Sequence, residues 1–321
     1  MDLSHKIFNI KTESDFTNTA IEVYHHQIKT IEIYRDYVKQ LNWPEPKTIK
    51  EIPFLPIEFF KTHQIIKDSS KAEIEFKSSG TGGARSSHFV QDLSIYQNSF
   101  DLAFQTLIGK PSEQVILALL PNYIEQGESS LVYMVQSLIE QTNNSLSGFF
   151  LQNHDELIRN YNRAVQENKQ VIIFGVSYAL LDLTEKQPDL KNAFIVETGG
   201  MKGKRKELTK IELHEQLIEG LKCQNIFSEY GMTELLSQAY CKSDLIFKTP
   251  PWMRTLIRDT NDPFSYVEAG KTGGLNILDL ANINSCSFIA SQDLGKNISD
   301  GFQILGRFDQ ADVRGCNLLV Q

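Results

Sequence analysis

The chain has 321 residues, of which 41% are hydrophobic and 22% charged, and its formal net charge is −8 at pH 7. A folded chain of this length buries roughly three quarters of its unfolded surface, so a core forms without disulfide or metal staples. The composition excludes disordered and disulfide-scaffold classes. The acidic balance argues against nucleic acid, which needs a basic stripe. The densest basic stretch, Lys202, Lys204, Arg205, Lys206 and Lys210, is too short for that role and sits beside Glu207 and Glu212.

Four cysteines, Cys223, Cys241, Cys286 and Cys316, show no CxxC spacing and no grouping with histidine. That fits neither a zinc site nor a disulfide framework and suits a reducing cytosol. The start of the chain lacks the apolar core of a signal peptide. Its longest apolar run, residues 115–120, is far short of a membrane span. The expectation is a cytoplasmic protein with no membrane span.

In chain order, residues 14–41 read as one amphipathic helix, with Phe16, Ala20, Val23, Tyr24, Ile28, Ile31, Tyr34, Val38 and Leu41 at helical spacing and Ser14 as N-cap. Trp43, Pro44 and Pro46 end it. Residues 52–60 are apolar and proline-broken, which suits an irregular stretch on the core. From residue 113 short apolar strands alternate with longer helices: strands at 115–120, 149–151, 171–174, 193–196 and 225–228, helices at 129–141, 155–167, 178–185 and 207–221. This alternation predicts βαβ units and a mostly parallel sheet covered by helices, an α/β fold. After residue 245 the helical signal fades and strands at 275–278 and 302–305 predict a small β-rich subdomain. The expected organisation is a single domain, with an α/β body over 1–245 and a β-rich part over 246–321.

Three segments carry chemistry. Ser78, Ser79, Gly80, Thr81, Gly82 and Gly83 form a loop between the alternating stretch 73–77 and a strand at 87–90. Glycines admit backbone N–H groups close to a phosphate and hydroxyls add donors, although a hydroxyl-rich hairpin turn explains the pattern about as well. It is neither a Walker loop nor a GxGxxG fingerprint. The second segment, Phe227 to Glu234, follows the last parallel strand, where ligands of open α/β sheets bind. There Tyr230 offers an aromatic face, Gly231 flexibility, Thr233 a hydroxyl and Glu234 an oxygen ligand for Mg²⁺. A solvated loop is the alternative. The third comprises Asp293, read as sitting in a turn, and Gly306-Arg307-Phe308-Asp309; each is weak alone.

Taken together and in this order, these segments resemble the adenylate-forming superfamily, which includes acyl-CoA synthetases, adenylation domains and luciferases. The resemblance spans about residues 50–321. It is closest to the acyl-protein synthetases of bacterial luminescence, the LuxE family. That closer match rests on Leu120-Pro121-Asn122-Tyr123, Ser129-Ser130-Leu131, Phe174-Gly175-Val176, Glu197-Thr198-Gly199-Gly200-Met201-Lys202-Gly203 and Arg314-Gly315-Cys316-Asn317-Leu318. Phenylacetate-CoA ligases are the next relatives.

The resemblance implies ATP and Mg²⁺ as cofactors, a carboxylic acid as substrate and attack of its carboxylate on the α-phosphorus. It implies that Ser78, Ser79, Gly80, Thr81, Gly82 and Gly83 hold the phosphates and that Gly199 and Gly200 line the adenine and acyl groove. Tyr230, followed by Gly231, would stack on adenine. Thr233 would bond the α-phosphate and Glu234 bind the metal, with Asp293 and Arg307 at the ribose. Cys316 matches the cysteine thought to receive the acyl group in the luminescence synthetases; a buried structural thiol is the equal alternative, and Cys286 reads as structural.

The sequence departs from the superfamily in three places. Gly82 stands where a hydroxyl is common, and Ser86, beside Arg85, stands where many members carry lysine. The small C-terminal domain with the catalytic lysine is expected to be missing, which leaves Lys202, Lys204 or Arg205 as candidate substitutes. Among the histidines only His88, just past the loop, invites a role. A CoA ligase completed by a separate domain and a non-catalytic nucleotide-binding subunit are the competing readings. The final acceptor, a thiol of the chain itself or of a partner protein or carrier, is left open.

Overall fold

The computed structural model describes residues 3–68, 70–79, 84–121, 128–199, 205, 208–298 and 301–308. The predicted helix at 14–41 is two helices. After a short α1 (Leu3–Ile7), α2 (Glu13–Thr30) and α3 (Glu32–Gln40) are broken at Ile31, which is extended at φ −121°, ψ 102°. The break is stabilised from a distant segment: Asp68 accepts the freed N–H of Glu32 at 2.8 Å and donates its own N–H to the carbonyl of Thr30 at 2.6 Å. The periodicity runs through the break, so sequence alone could not place it. The N-cap of α2 is Thr12 rather than Ser14, in a capping box with Asp15.

Residues 52–60 form a two-residue strand β1 (Leu55–Pro56) and a short α4 (Phe59–Thr62). Strands β2 (Ile74–Lys77) and β3 (Ser87–Val90) pair antiparallel and are followed by α5 (Leu93–Leu107), a helix the apolar pattern left unassigned. Then comes the alternating series: β4 (Gln114–Leu119), α6 (Ser130–Thr142), β5 (Gly148–Phe149), α7 (His154–Gln166), β6 (Gln170–Val176), α8 (Ser177–Thr184), β7 (Ala193–Thr198), α9 (Lys210–Leu221) and β8 (Ile226–Tyr230). With β9 (Ala239–Cys241) these strands make a six-stranded sheet in the order β5-β4-β6-β7-β8-β9, parallel except for β9. Every residue of β4 is buried and nearly every residue of β6 and β7, as expected of parallel strands covered on both faces.

The β-rich part holds β10 (Met253–Arg258), β11 (Gly273–Asp279), β12 (Phe288–Ile298) and β13 (Gly301–Arg307). Their sheet runs β1-β12-β11-β10, with β13 also on β12, so its parallel edge strand comes from residues 55–56. The N-terminal helices close over it. The buried amide of Gln27 donates to the carbonyls of Asn282 and Ile283 and to the Ser287 hydroxyl, and accepts the N–H of Ser287. A buried amide with all its groups satisfied fixes this packing in one register. Among the described residues, no helix is long and apolar enough to cross a membrane.

Candidate active site

The hairpin of β2 and β3 carries the first segment. Its neck is closed by Ser78: the backbone N–H donates to the carbonyl of Ser86 at 3.0 Å, and the hydroxyl oxygen accepts the N–H of Ser86 at 2.9 Å. Ser79 follows at the neck. Two cations flank it and share one carboxylate, Lys77 Nζ at 2.7 Å and Arg85 Nη1 at 3.2 Å from Glu128. Arg85 also donates from Nε to the carbonyl of Ser78. Gly80, Thr81, Gly82 and Gly83 lie outside the described residues.

Tyr230 ends β8 at the carboxyl edge of the parallel sheet. Its hydroxyl donates to Asp293 Oδ2 at 2.7 Å, and Arg307 Nε donates to Asp293 Oδ1 at 2.9 Å. Asp293 does not sit in a turn; it lies within β12, directly opposite Arg307 of β13, and the antiparallel register makes the ion pair. The glycine-rich composition around it reads as a turn but here accompanies β-bulges, at Gly274/Asn276 on one side and Leu294/Gly295 on the other. The ring of Tyr230 packs edge-on against Phe247 and Phe302, which stack on each other. Arg307 covers the buried carboxylate while its own side chain is 74% exposed.

Glu234 is buried. The Ser86 hydroxyl lies near its carboxyl and favours the charged form, and its carbonyl accepts Asn282 Nδ2 at 2.8 Å. Burial raises its pKa, a cost offset in part by the Ser86 hydroxyl and by the positive charges of Arg307 and Lys61. The carbonyl of Thr233 lies 2.9 Å from His88 Nδ1. The tertiary structure thus joins the first segment to the second through Ser86 and His88, and the second to the third through Tyr230 and Asp293.

A buried acidic network adjoins these residues at the ends of β7 and β8. Glu197, fully buried, accepts from the Ser177 hydroxyl at 3.1 Å, from the Ser228 hydroxyl and from Lys210 Nζ. His214 Nε2 donates to Ser228 Oγ at 2.9 Å. The hydroxyl proton of Ser228 points at Glu197, away from the imidazole, so this serine–histidine–carboxylate set is a structural relay and not a nucleophile. Burial pushes the Glu197 carboxyl up, but the Lys210 ammonium, the nearby imidazole and the hydroxyl hydrogen bonds outweigh it and hold the pKa at about 2. On the opposite face Glu229 accepts from Thr198, and burial raises its carboxyl to about 7.

Two glycines serve this corner. Gly199 has φ +51° where β7 ends, a left-handed backbone that favours glycine, and its carbonyl shares the Ser177 hydroxyl proton with Glu197, at 3.2 Å. At Gly231 an added Cβ would collide with Glu229 Oε1. Gly200 lies outside the described residues.

A raised carboxylate pKa means the folded state binds the proton more tightly than the unfolded chain. Stability from Glu229 is therefore full below its unfolded pKa near 4.5 and is lost as pH rises through about 7. Glu229→Gln is expected to be more stable than wild type at pH 8, by about 3 kcal/mol, with the gap closing towards pH 5. Thermal unfolding of both proteins across that range checks it, and a pH-independent gap would show that the carboxyl does not titrate as the structure implies.

The profile of the LuxE acyl-protein synthetases matches residues 8–321. The chain belongs to the LuxE acyl-protein synthetase family. A search of curated proteins found no match. Among solved structures, ATP-bound MatB from Rhodopseudomonas palustris superposes with a TM-score of 0.55 at 16% identity, over 73% of this chain and 47% of MatB. An open conformation of 2-hydroxyisobutyryl-CoA ligase, in complex with 2-HIB-AMP and CoA, superposes with a TM-score of 0.67 at 11% identity, over 94% of this chain and 72% of the ligase. These similarities establish the adenylate-forming fold, and the LuxE-family chain spans about half the length of MatB.

The acidic network of this LuxE-family protein escaped the sequence reading, although its signal was present. Glu197-Thr198 and Ser228-Glu229 are polar pairs closing otherwise apolar parallel strands, at the sheet edge where ligands bind. Of the proposed cations, Arg205 is engaged by Asp182 and Glu185 on or beside α8, and Lys202 and Lys204 lie outside the described residues. Cys316 also lies outside them. The thiol of Cys286 is buried, donates to the carbonyl of Phe288 at 3.4 Å and is pushed up to about 12 by burial, in line with a structural role.

Proposed function

We propose that this protein activates a fatty or aryl carboxylic acid with ATP as an acyl-adenylate and then passes the acyl group to a thiol. The observation that carries the reading is the convergence of Tyr230, Asp293 and Arg307 beside the buried carboxyl of Glu234, at the carboxyl edge of a parallel sheet and bridged to the Ser78 hairpin. The residues fit the cofactors. Tyr230 is only half-buried, with an aromatic face suited to adenine. Asp293 holds two donors and keeps lone pairs for ribose hydroxyls. Mg²⁺ is commonly held by one or two carboxylates together with substrate phosphates, which suits Glu234. Bound Mg²⁺ and ATP would supply charge neutralisation and an electrophilic phosphorus. The chain's own part is positioning and desolvation: Ser78, Ser79, Gly80, Thr81, Gly82 and Gly83 at the phosphates, Gly199, Gly200 and Gly231 admitting the nucleotide, and Thr233 at the α-phosphate.

In the first step a carboxylate oxygen bonds to the α-phosphorus as the bond to pyrophosphate breaks. In the second a thiolate attacks the acyl carbonyl and AMP leaves. Cys316 is the proposed acceptor, followed by a partner protein or carrier. ATP–pyrophosphate exchange with a panel of fatty and aryl acids tests the first step, and intact mass the second. Cys316→Ser should retain exchange while losing the acyl mass adduct seen in wild type. No exchange with any acid would sink the proposal.

A further inference from the structure

We propose that His88 is a positioning residue for the Thr233–Glu234 segment, acting as the Nδ1–H tautomer with its Nε2 completed by one buried water shared with Gln91 and Ser285. This rests on the proposed role of Glu234 as the metal-binding carboxylate. His88 is fully buried in the middle of β3, and Phe60 packs edge-on against its ring at 5.6 Å. Its Nδ1 lies 2.9 Å from the carbonyl oxygen of Thr233. A carbonyl only accepts, so Nδ1 carries the proton. Burial pushes the imidazole down to about 4, which keeps the ring neutral and leaves Nε2 as a bare acceptor.

Nε2 has no protein partner, and neither has Gln91 Oε1 or Ser285 Oγ. All three residues line one small, partly open pocket with room of about 10 Å³, with Asn284, Ala281 and Leu236 among its other walls. A polar cavity of roughly 10–15 Å³ suffices for a single water. The hydrogen bonds balance: the water donates to Nε2 and to Gln91 Oε1 and accepts the Ser285 hydroxyl. One molecule then satisfies three buried atoms that would otherwise each cost a lost hydrogen bond.

The geometry makes β3 the ruler for the second segment. Ser86 and His88 are two residues apart and so share one face of the chain. The first lies near the carboxyl of Glu234, and the second bonds the carbonyl just before it. From the far side Asn282 holds the carbonyl of Glu234, and the N–H of Ser285 donates to the carbonyl of Asn282 at 2.9 Å. The water joins Ser285 back to His88 and closes the loop. Outer contacts of this kind orient a metal-binding carboxylate without touching the metal.

The discriminating pair is His88→Asn and His88→Gln. Asparagine places its Nδ2 where Nδ1 was and keeps the donor to Thr233; glutamine reaches the Nε2 position and loses it. Two readouts are needed, the Mg²⁺ concentration for half-maximal pyrophosphate exchange and hydrogen exchange of the 230–236 peptide. H88Q should raise the Mg²⁺ requirement about 10-fold or more and speed exchange of that peptide, with H88N intermediate in both because it keeps the donor to Thr233 and loses the acceptor for the water. ¹⁵N spectra of histidine-labelled wild type should show Nδ1 protonated and Nε2 bare. The reverse tautomer, or equal behaviour of the two variants, overturns the proposal. Should wild type show no pyrophosphate exchange, the reading of Glu234 falls, and hydrogen exchange with the tautomer decides the role of His88.

Discussion

Glu234→Gln is expected to lower the turnover of carboxylate-dependent ATP–pyrophosphate exchange by about 10²–10³-fold, the scale of losing one preorganised electrostatic group. The substitution is close to isosteric. The Ser86 hydroxyl keeps an acceptor and the backbone carbonyl keeps Asn282. Stability should move the other way. Burial opposes the charged form of this carboxyl, so removing the charge should leave the melting temperature unchanged or slightly higher at pH 7. Activity lost from a protein that melts no earlier separates a role in chemistry from one in folding. Exchange within threefold of wild type would remove Glu234 from the proposed mechanism, and a large drop in melting temperature would make it a structural residue.

Lys210→Met should destabilise the protein by about 3 kcal/mol, the lower end of the range for breaking a buried ion pair, because the lysine is partly exposed while Glu197 is not. Lys210 is the first residue of α9, a position where the helix dipole disfavours a cation. Its placement there is explained by the carboxylate it reaches. In a chain of this size such a loss is a fall of about 5 °C in melting temperature. The double variant Lys210→Met, Glu197→Gln should recover most of it, since no buried charge is then left alone.

The pH dependence is fixed in sign. Glu197 titrates below its unfolded value, so its stabilisation is present above about 4.5 and is lost as pH falls towards about 2. In Lys210→Met that acid limb should be shallower. A single variant within 1 °C of wild type, or a double variant no better than the single, would contradict the assignment. This network has the opposite pH profile to Glu229 one strand away, although both carboxyls are buried. Glu197 meets an ammonium and Glu229 does not bond one.

The repeating part of the architecture was written in local sequence. The apolar runs around Ile116, Ile172, Ile195 and Ile226, separated by helical periods, specify the parallel sheet because strands buried on both faces admit little else. The order of the three chemical segments pointed to the adenylate-forming superfamily and phrases such as Glu197 to Gly203 to the LuxE family, whose profile matches residues 8–321. These features depend on residues adjacent in sequence, or one period apart.

Tertiary structure alone decided what long-range partners control. The break at Ile31 depends on Asp68, 36 residues beyond Glu32. The position of Asp293 in a strand depends on its register with Arg307 and not on its glycine-rich surroundings. The bond from His88 to Thr233 spans 145 residues, and the charge state of Glu197 depends on a lysine from another element. Local sequence states which groups a segment carries. The desolvation and partners that set their proton affinity and orientation exist only once the chain has folded around them.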